Sequence, residues 1–201
     1  IRKWMLRDSN FSPDFPTNAQ KAEYFYRLGG GREKFDAVIA VDAVVFDHVL
    51  GLTGPISIPG YPGTYSSNGG ALQLEEAVEK NYLGDDVSAT AKENRKTIMK
   101  KLAAEIMTRL ATVNNIPKIA TLVQEELRNK DIMLFFHDAT LQSLVESVHW
   151  DGSVTKDWGS DSLMVVDANL GALKSDAYVK RALEYSVDFT NGGRHKATVI
   201  Y

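Results

Sequence analysis

Apolar positions recur along the chain with two periods, and the changes of period mark its elements. Phe35–Val41 is an almost unbroken apolar run of strand length, the pattern of a strand buried on both faces, and Asp131–Phe136 repeats it. Elsewhere the period is helical. Thr17 is placed as the cap of a helix whose inner face is Ala19, Ala22, Phe25, Tyr26 and Leu28, ending at Gly29-Gly30-Gly31. Asp42 is placed as the cap of a second helix with Val45, Phe46, Val49 and Leu50 inward, stopped by Gly51 and Gly54-Pro55. Leu72–Tyr82 carries Leu74, Ala77, Val78 and Tyr82 at helical spacing. A long helix follows from Ser88 or Thr90 to about Ala111, with Ile98, Leu102, Ile106 and Leu110 on one side and Lys100, Lys101 and Arg109 turned to solvent. Pro117 opens another to Asn129 through Ile119, Leu122, Val123 and Leu127, and Asp138 caps one bearing Leu141, Leu144, Val145 and Val148.

Strand patterns occupy both ends. Ile1–Leu6 and Asp161–Val166 read as short strands, and Arg7–Pro16 between prolines and turn formers reads as loop. Tyr178–Phe189 alternates Leu183, Tyr185, Val187 and Phe189, and Asn191-Gly192-Gly193 turns it back into Lys196–Tyr201, a hairpin signal. The order predicts one α/β domain over residues 1–201: a layered mixed sheet flanked by helices, a helical insertion at about 70–130, and a long C-terminal antiparallel hairpin. Its expected core includes Val38, Ile39, Val41, Phe46, Leu50, Leu134, Phe135, Leu163 and Val165.

Composition removes several function classes. The chain of 201 residues has no cysteine, which excludes disulfides, thiol catalysis and cysteine-held metals. With 23 basic and 26 acidic side chains, it lacks the charge excess of a nucleic-acid binder. No apolar run approaches the ~20 residues of a membrane helix. The first residue is Ile1 and the last strand pattern runs to Tyr201, so the chain reads as a segment of a longer protein and leaves its location open.

Two loops carry the candidate chemistry. Arg7-Asp8, followed by Asp14, places a guanidinium beside carboxylates after a strand pattern; Arg7 suits a phosphate and Asp8 a divalent metal, magnesium being the fitting ion. The plainer reading is turn chemistry. The loop from Asp167 offers Asn169 and Lys174, with Arg181 beyond it, as donors to a carboxylate or phosphate, against the reading of a tight turn with a solvated lysine. His137-Asp138 is a possible ligand pair at a strand-to-helix junction, but Asp138 is better explained as a cap. The Pro-Gly turn Ile58–Thr64, with Tyr61 and Tyr65, is either an exposed aromatic contact or simple hairpin packing.

Several segments together resemble the bacterial domain-of-unknown-function family 4012: RDSNFSPDFPTNAQKAEYFY, FDAVIAVDAVVFDHVLGLTGPISIPGY, AKENRK, HDATLQSLVESVHWDG and VVDANLGALKSDAYVKRALEYSVDF. The resemblance implies an extracytoplasmic envelope protein, membrane-anchored through a segment outside this chain, and no assigned activity. In that family the late loop usually reads NLGGNK, whereas Asn169–Lys174 here reads NLGALK. A fainter likeness over about the first 60 residues links the chain to LytR–CpsA–Psr proteins. It implies that Arg7 and Asp8 handle a polyprenyl pyrophosphate-linked glycan with magnesium. The alternative is a non-catalytic module that binds glycans or an envelope protein.

Overall fold

A computed structural model describes residues 4–61, 63–80, 89–111, 116–155, 157, 159, 162–167, 179–189 and 195–201. The chain divides into two compact units, one spanning Trp4–Gly159 and the other drawn from Ser160–Tyr201 with Ile1–Lys3.

The first unit is built on the two apolar runs. Ala37–Val41 (β1) pairs antiparallel with Ile132–Phe136 (β2), Ala37 lying opposite Phe136 and Val41 opposite Ile132. Helices fill the interval: Phe15–Leu28 (α1) before β1, then Val44–Thr53 (α2), Gly70–Lys80 (α3), Ala89–Leu110 (α4) and Ile116–Asn129 (α5), with Ala139–Ser147 (α6) after β2. The chain is therefore of α/β class, with the helical block between its paired strands. All strand pairing among the described residues is antiparallel, in two separate two-stranded ribbons.

Two apolar clusters hold this unit. Leu50 of α2 and Ile98 and Leu102 of α4 close over Ile56, Ile58 and Tyr65, with Ile106 packed alongside. The four-residue steps of α4 thus do face one way, and Lys100 and Lys101 are exposed. Arg109 departs from expectation. It folds back so that Nη1 donates to the carbonyls of Thr53 and Pro55 at 3.1 and 3.0 Å, satisfying acceptors that the end of α2 leaves open. In the second cluster Phe15 and Ala19 of α1 pack on Phe135, with Val38, Ala40 and Met133 around them.

That second cluster corrects the expected core. Apolar residues at every position of β1 suggested cover on both faces, but α1 covers the face of Val38 and Ala40. Ile39 and Val41 point the other way and are each 59% exposed. Leu163 and Val165 are also exposed, because residues 162–167 have no strand partner among the described residues to give their alternation a buried side.

Caps and boundaries shift for local reasons. Asp14, not Thr17, caps α1, its carboxylate accepting the Thr17 N–H, while Pro16 sits in the first turn where no N–H is required. The buried face of α1 becomes Phe15, Asn18, Ala19 and Glu23, and Leu28 is exposed. Ala43, not Asp42, occupies the cap position of α2; Asp42 lies one residue before it and accepts the N–H of Val44. Asp138 caps α6 as expected, but of its four apolar residues Val145 is the buried one. Of the expected first strand Ile1–Leu6, residues 1–3 lie outside the described residues, and its end runs into a single 3-10 turn, Leu6–Asp8, held by the Met5 N–H on the Asp8 carboxylate.

In the second unit Glu184–Asp188 (β3) and Lys196–Ile200 (β4) form the expected C-terminal hairpin, with Asp188 opposite Lys196. Such a cross-strand pair of opposite charges helps to fix register. No helix among the described residues is long and apolar enough to cross a membrane.

Candidate functional site

The loop Asn10–Asp14 cannot be regular, and α1 supplies what its backbone lacks. Asn18, buried on α1, accepts the Ser12 N–H at 2.9 Å and donates to the Ser12 carbonyl and the Asn10 side chain at 2.7 and 2.8 Å. One amide side chain thus closes three loop hydrogen bonds, which is what a buried asparagine needs to offset its desolvation. Asp14 ties the same loop further along the chain, accepting the Val154 N–H at 3.1 Å.

This anchoring leaves a concavity of about 430 Å³ between the loop and α1. Three aromatic rings wall it: Trp4, Phe11 and Phe25. Trp4 and Phe11 meet edge to face, centroids 5.5 Å apart, and both stay partly open to solvent. Polar groups stand between the rings: Asp8, Ser9, Ser12 and Lys21. Lys21 places its ammonium 6.0 Å from the Phe25 ring centroid and 5.5 Å from that of Tyr24, within cation–π range. Asp8 spends Oδ2 on the Met5 N–H and keeps Oδ1 3.9 Å from Arg7 Nε. The site therefore offers stacking surfaces, a carboxylate acceptor, an ammonium donor and hydroxyls in one hollow.

The residues expected to carry function fall in different places. Asp8 lines the hollow, while Arg7 beside it is 78% exposed at its side chain. Arg181, in the second unit, makes an ion pair with Asp167, Nε to Oδ2 at 3.0 Å. Asn169 and Lys174 lie outside the described residues. As a magnesium site, Asp8 supplies one carboxylate, and no group of three histidine, aspartate or glutamate side chains able to hold a metal occurs among the described residues. Tyr65 belongs to the core and Tyr61 packs against it, so the Pro-Gly turn is hairpin packing.

Sequence reasoning passed over Trp4, Phe11, Asn18 and Lys21. A signal was present for Asn18: a polar side chain next to Ala19 on the apolar face of α1 must be paired with something. It passed over two histidine–carboxylate pairs as well. His137 Nε2 lies 2.7 Å from Glu23, whose other oxygen holds Arg27 at 3.1 Å. His48 Nδ1 lies 2.6 Å from Glu126. Each joins distant elements through a buried carboxylate, so His137 is a tie between α1 and the end of β2 rather than a ligand waiting for a metal. On the rim of α1, Tyr26 donates to Glu33, which holds the Glu33 carboxyl below its ordinary range and raises the Tyr26 phenol above its own.

A family model described as a protein of unknown function (DUF4012) matches residues 2–68. The first third of the chain carries the DUF4012 pattern. The matched stretch contains the whole hollow, from Trp4 through Phe25, together with β1, α2 and the Ile56–Tyr65 bridge. No curated protein matches the chain, and no solved structure does. The matched stretch thus brings with it a fold segment and a candidate site, and the family's description assigns it no function.

Proposed function

We propose that the DUF4012 unit of this chain is a non-catalytic glycan-binding module of the bacterial cell envelope, and that the Trp4–Phe11–Phe25 hollow is where the sugar sits. The observation that carries the reading is the pairing of aromatic walls with interleaved hydrogen-bonding groups. A pyranose ring presents C–H groups on its faces and hydroxyls around its edge. Trp4 and Phe25 provide surfaces for the first, and Asp8, Ser9 and Lys21 provide partners for the second. The volume of about 430 Å³ suits one or two sugar rings. The envelope setting, outside the cytoplasm and anchored through a segment beyond this chain, rests on the family resemblance.

Transfer of a pyrophosphate-linked glycopolymer asks for several cations and a metal-holding acid around Asp8. Lys21 is the one cation lining the hollow among the described residues, and one Asp8 oxygen is already bound to backbone. These features favour recognition over phosphoryl chemistry. Calorimetric titration with a soluble digest of bacterial cell-wall glycan tests the reading. Saturable binding that weakens at least about tenfold in Trp4→Ala, a loss of about 1.4 kcal/mol, supports it. Equal binding by the wild type and Trp4→Ala would overturn it.

A further inference from the structure

The β1–β2 ribbon has two edges, and the chain treats them differently. Hydrogen bonds at both ends of the pairing, Asp42 N to Asp131 O and His137 N to Asp36 O, set its phase. Even-numbered residues of β1 therefore face β2 with their backbone groups, while Ala37, Ile39 and Val41 turn theirs outward. On β2 the corresponding outward groups are covered: Leu134 N donates to the Trp150 carbonyl and Phe136 N to the Gln142 side chain. On β1 no hydrogen bond reaches Ala37, Ile39 or Val41 from any described residue beyond the ribbon. Their side chains carry none of the usual edge protection of charge, proline or bulge. Alongside runs an apolar groove of about 260 Å³ between this edge and α1, walled by Leu6, Ala22, Tyr26, Phe35 and Val38.

We propose that this edge is a strand-addition site that takes an extended segment of a separate polypeptide, apolar in its middle and basic at both ends. An added strand lies about 4.8 Å from β1. Its inward amides and carbonyls pair with Ala37, Ile39 and Val41. Alternate side chains drop into the groove beside α1, and the others lie along the exposed Ile39 and Val41. The basic ends answer Asp36 and Asp42, exposed carboxylates at the two ends of β1. The same two residues disfavour a second copy of this chain as occupant. Antiparallel self-pairing centred on Ile39 sets Asp36 opposite Asp42 of the other copy twice over, and like charges directly opposite are destabilising.

The probe is a blocked, fluorescein-labelled heptapeptide, Lys-Val-Leu-Val-Thr-Val-Lys, titrated into the full chain and read by anisotropy. Two further peptides carry N-methyl groups on alternate amides, one for each of the two phases. Saturable binding is expected, lost by about tenfold or more for one methylated phase and little changed for the other. Asp36→Asn with Asp42→Asn should weaken it, and more so at low salt. Amide hydrogen exchange gives a second reading in which the protein itself is unaltered. Ala37, Ile39 and Val41 amides should exchange quickly alone and slow on binding, while Val38 and Ala40 stay protected throughout. No saturable binding, equal loss for both methylated phases, or protection of Ala37, Ile39 and Val41 in a dimer of the free chain would each overturn the proposal.

Discussion

Tyr65→Phe should make this protein more stable, against the usual direction of core substitutions. Tyr65 is 2% exposed, packed among Leu50, Ile56 and Leu102, and its hydroxyl has no hydrogen-bond partner among the described residues. A buried hydroxyl without a partner costs roughly 1–3 kcal/mol relative to water. Phenylalanine keeps the ring and removes that cost, so a gain of about 1 kcal/mol is expected after allowing for the small void left behind. In a unit the size of Trp4–Gly159 this is about 2–4 °C in Tm. The same burial raises the Tyr65 pKa. Below the ordinary tyrosine range the phenol is protonated whether the chain is folded or not, so it adds no pH dependence there. Above about pH 10 the unfolded chain loses that proton while the folded one keeps it, and stability falls as pH rises. Tyr65→Phe should therefore flatten the alkaline limb as well as raise Tm at neutral pH. Urea unfolding followed by circular dichroism at pH 7 and across the alkaline range reads both. A variant less stable than wild type by about 1 kcal/mol at pH 7 would refute the reasoning, since it would mean that the hydroxyl is paired.

Arg109→Ala should cost about 1–2 kcal/mol in the same assay, because it strips the carbonyls of Thr53 and Pro55 of a charged donor. Arg109→Lys should recover only part, since a single ammonium cannot reproduce the guanidinium's spread of donors. Gly152→Ala should be among the most damaging single methyl additions, at about 2 kcal/mol or more. Gly152 has φ +61°, and a Cβ there runs into the Met133 side chain and lies 3.1 Å from Phe15 Cβ.

Much of the fold was legible where a local rule was sufficient. The apolar runs around Ile39 and Leu134 gave strands, the four-residue steps of α4 gave a helix facing one way, and Asp138 gave a cap. Tertiary cover was less legible. An all-apolar strand does not say how many of its faces will be packed, and α1 reaches only the Val38 and Ala40 side of β1. Nor does an arginine near the end of a helical pattern announce that it will turn inward to a neighbouring helix's carbonyls, as Arg109 does. The candidate site was half visible. Asp8 stood out by its charge in a loop. Its hollow depends on Trp4, Phe11 and Phe25, which line one concavity because Asn18 gathers the loop onto α1, a long-range arrangement that spacing alone does not encode. Asn169 and Lys174 fall outside the described residues.

Glycan binding in the Trp4–Phe11–Phe25 hollow is the proposal on which the functional reading rests. The most direct measurement is a titration of isotopically labelled full chain with soluble cell-wall oligosaccharide, following the Trp4 indole N–H and the backbone amides by NMR. Saturable shifts are expected at Trp4, Ser9, Ser12, Asn18 and Lys21, which lie around the hollow. Saturable shifts elsewhere that leave Trp4 and Lys21 unmoved, or no shifts anywhere at millimolar sugar, would contradict the proposal.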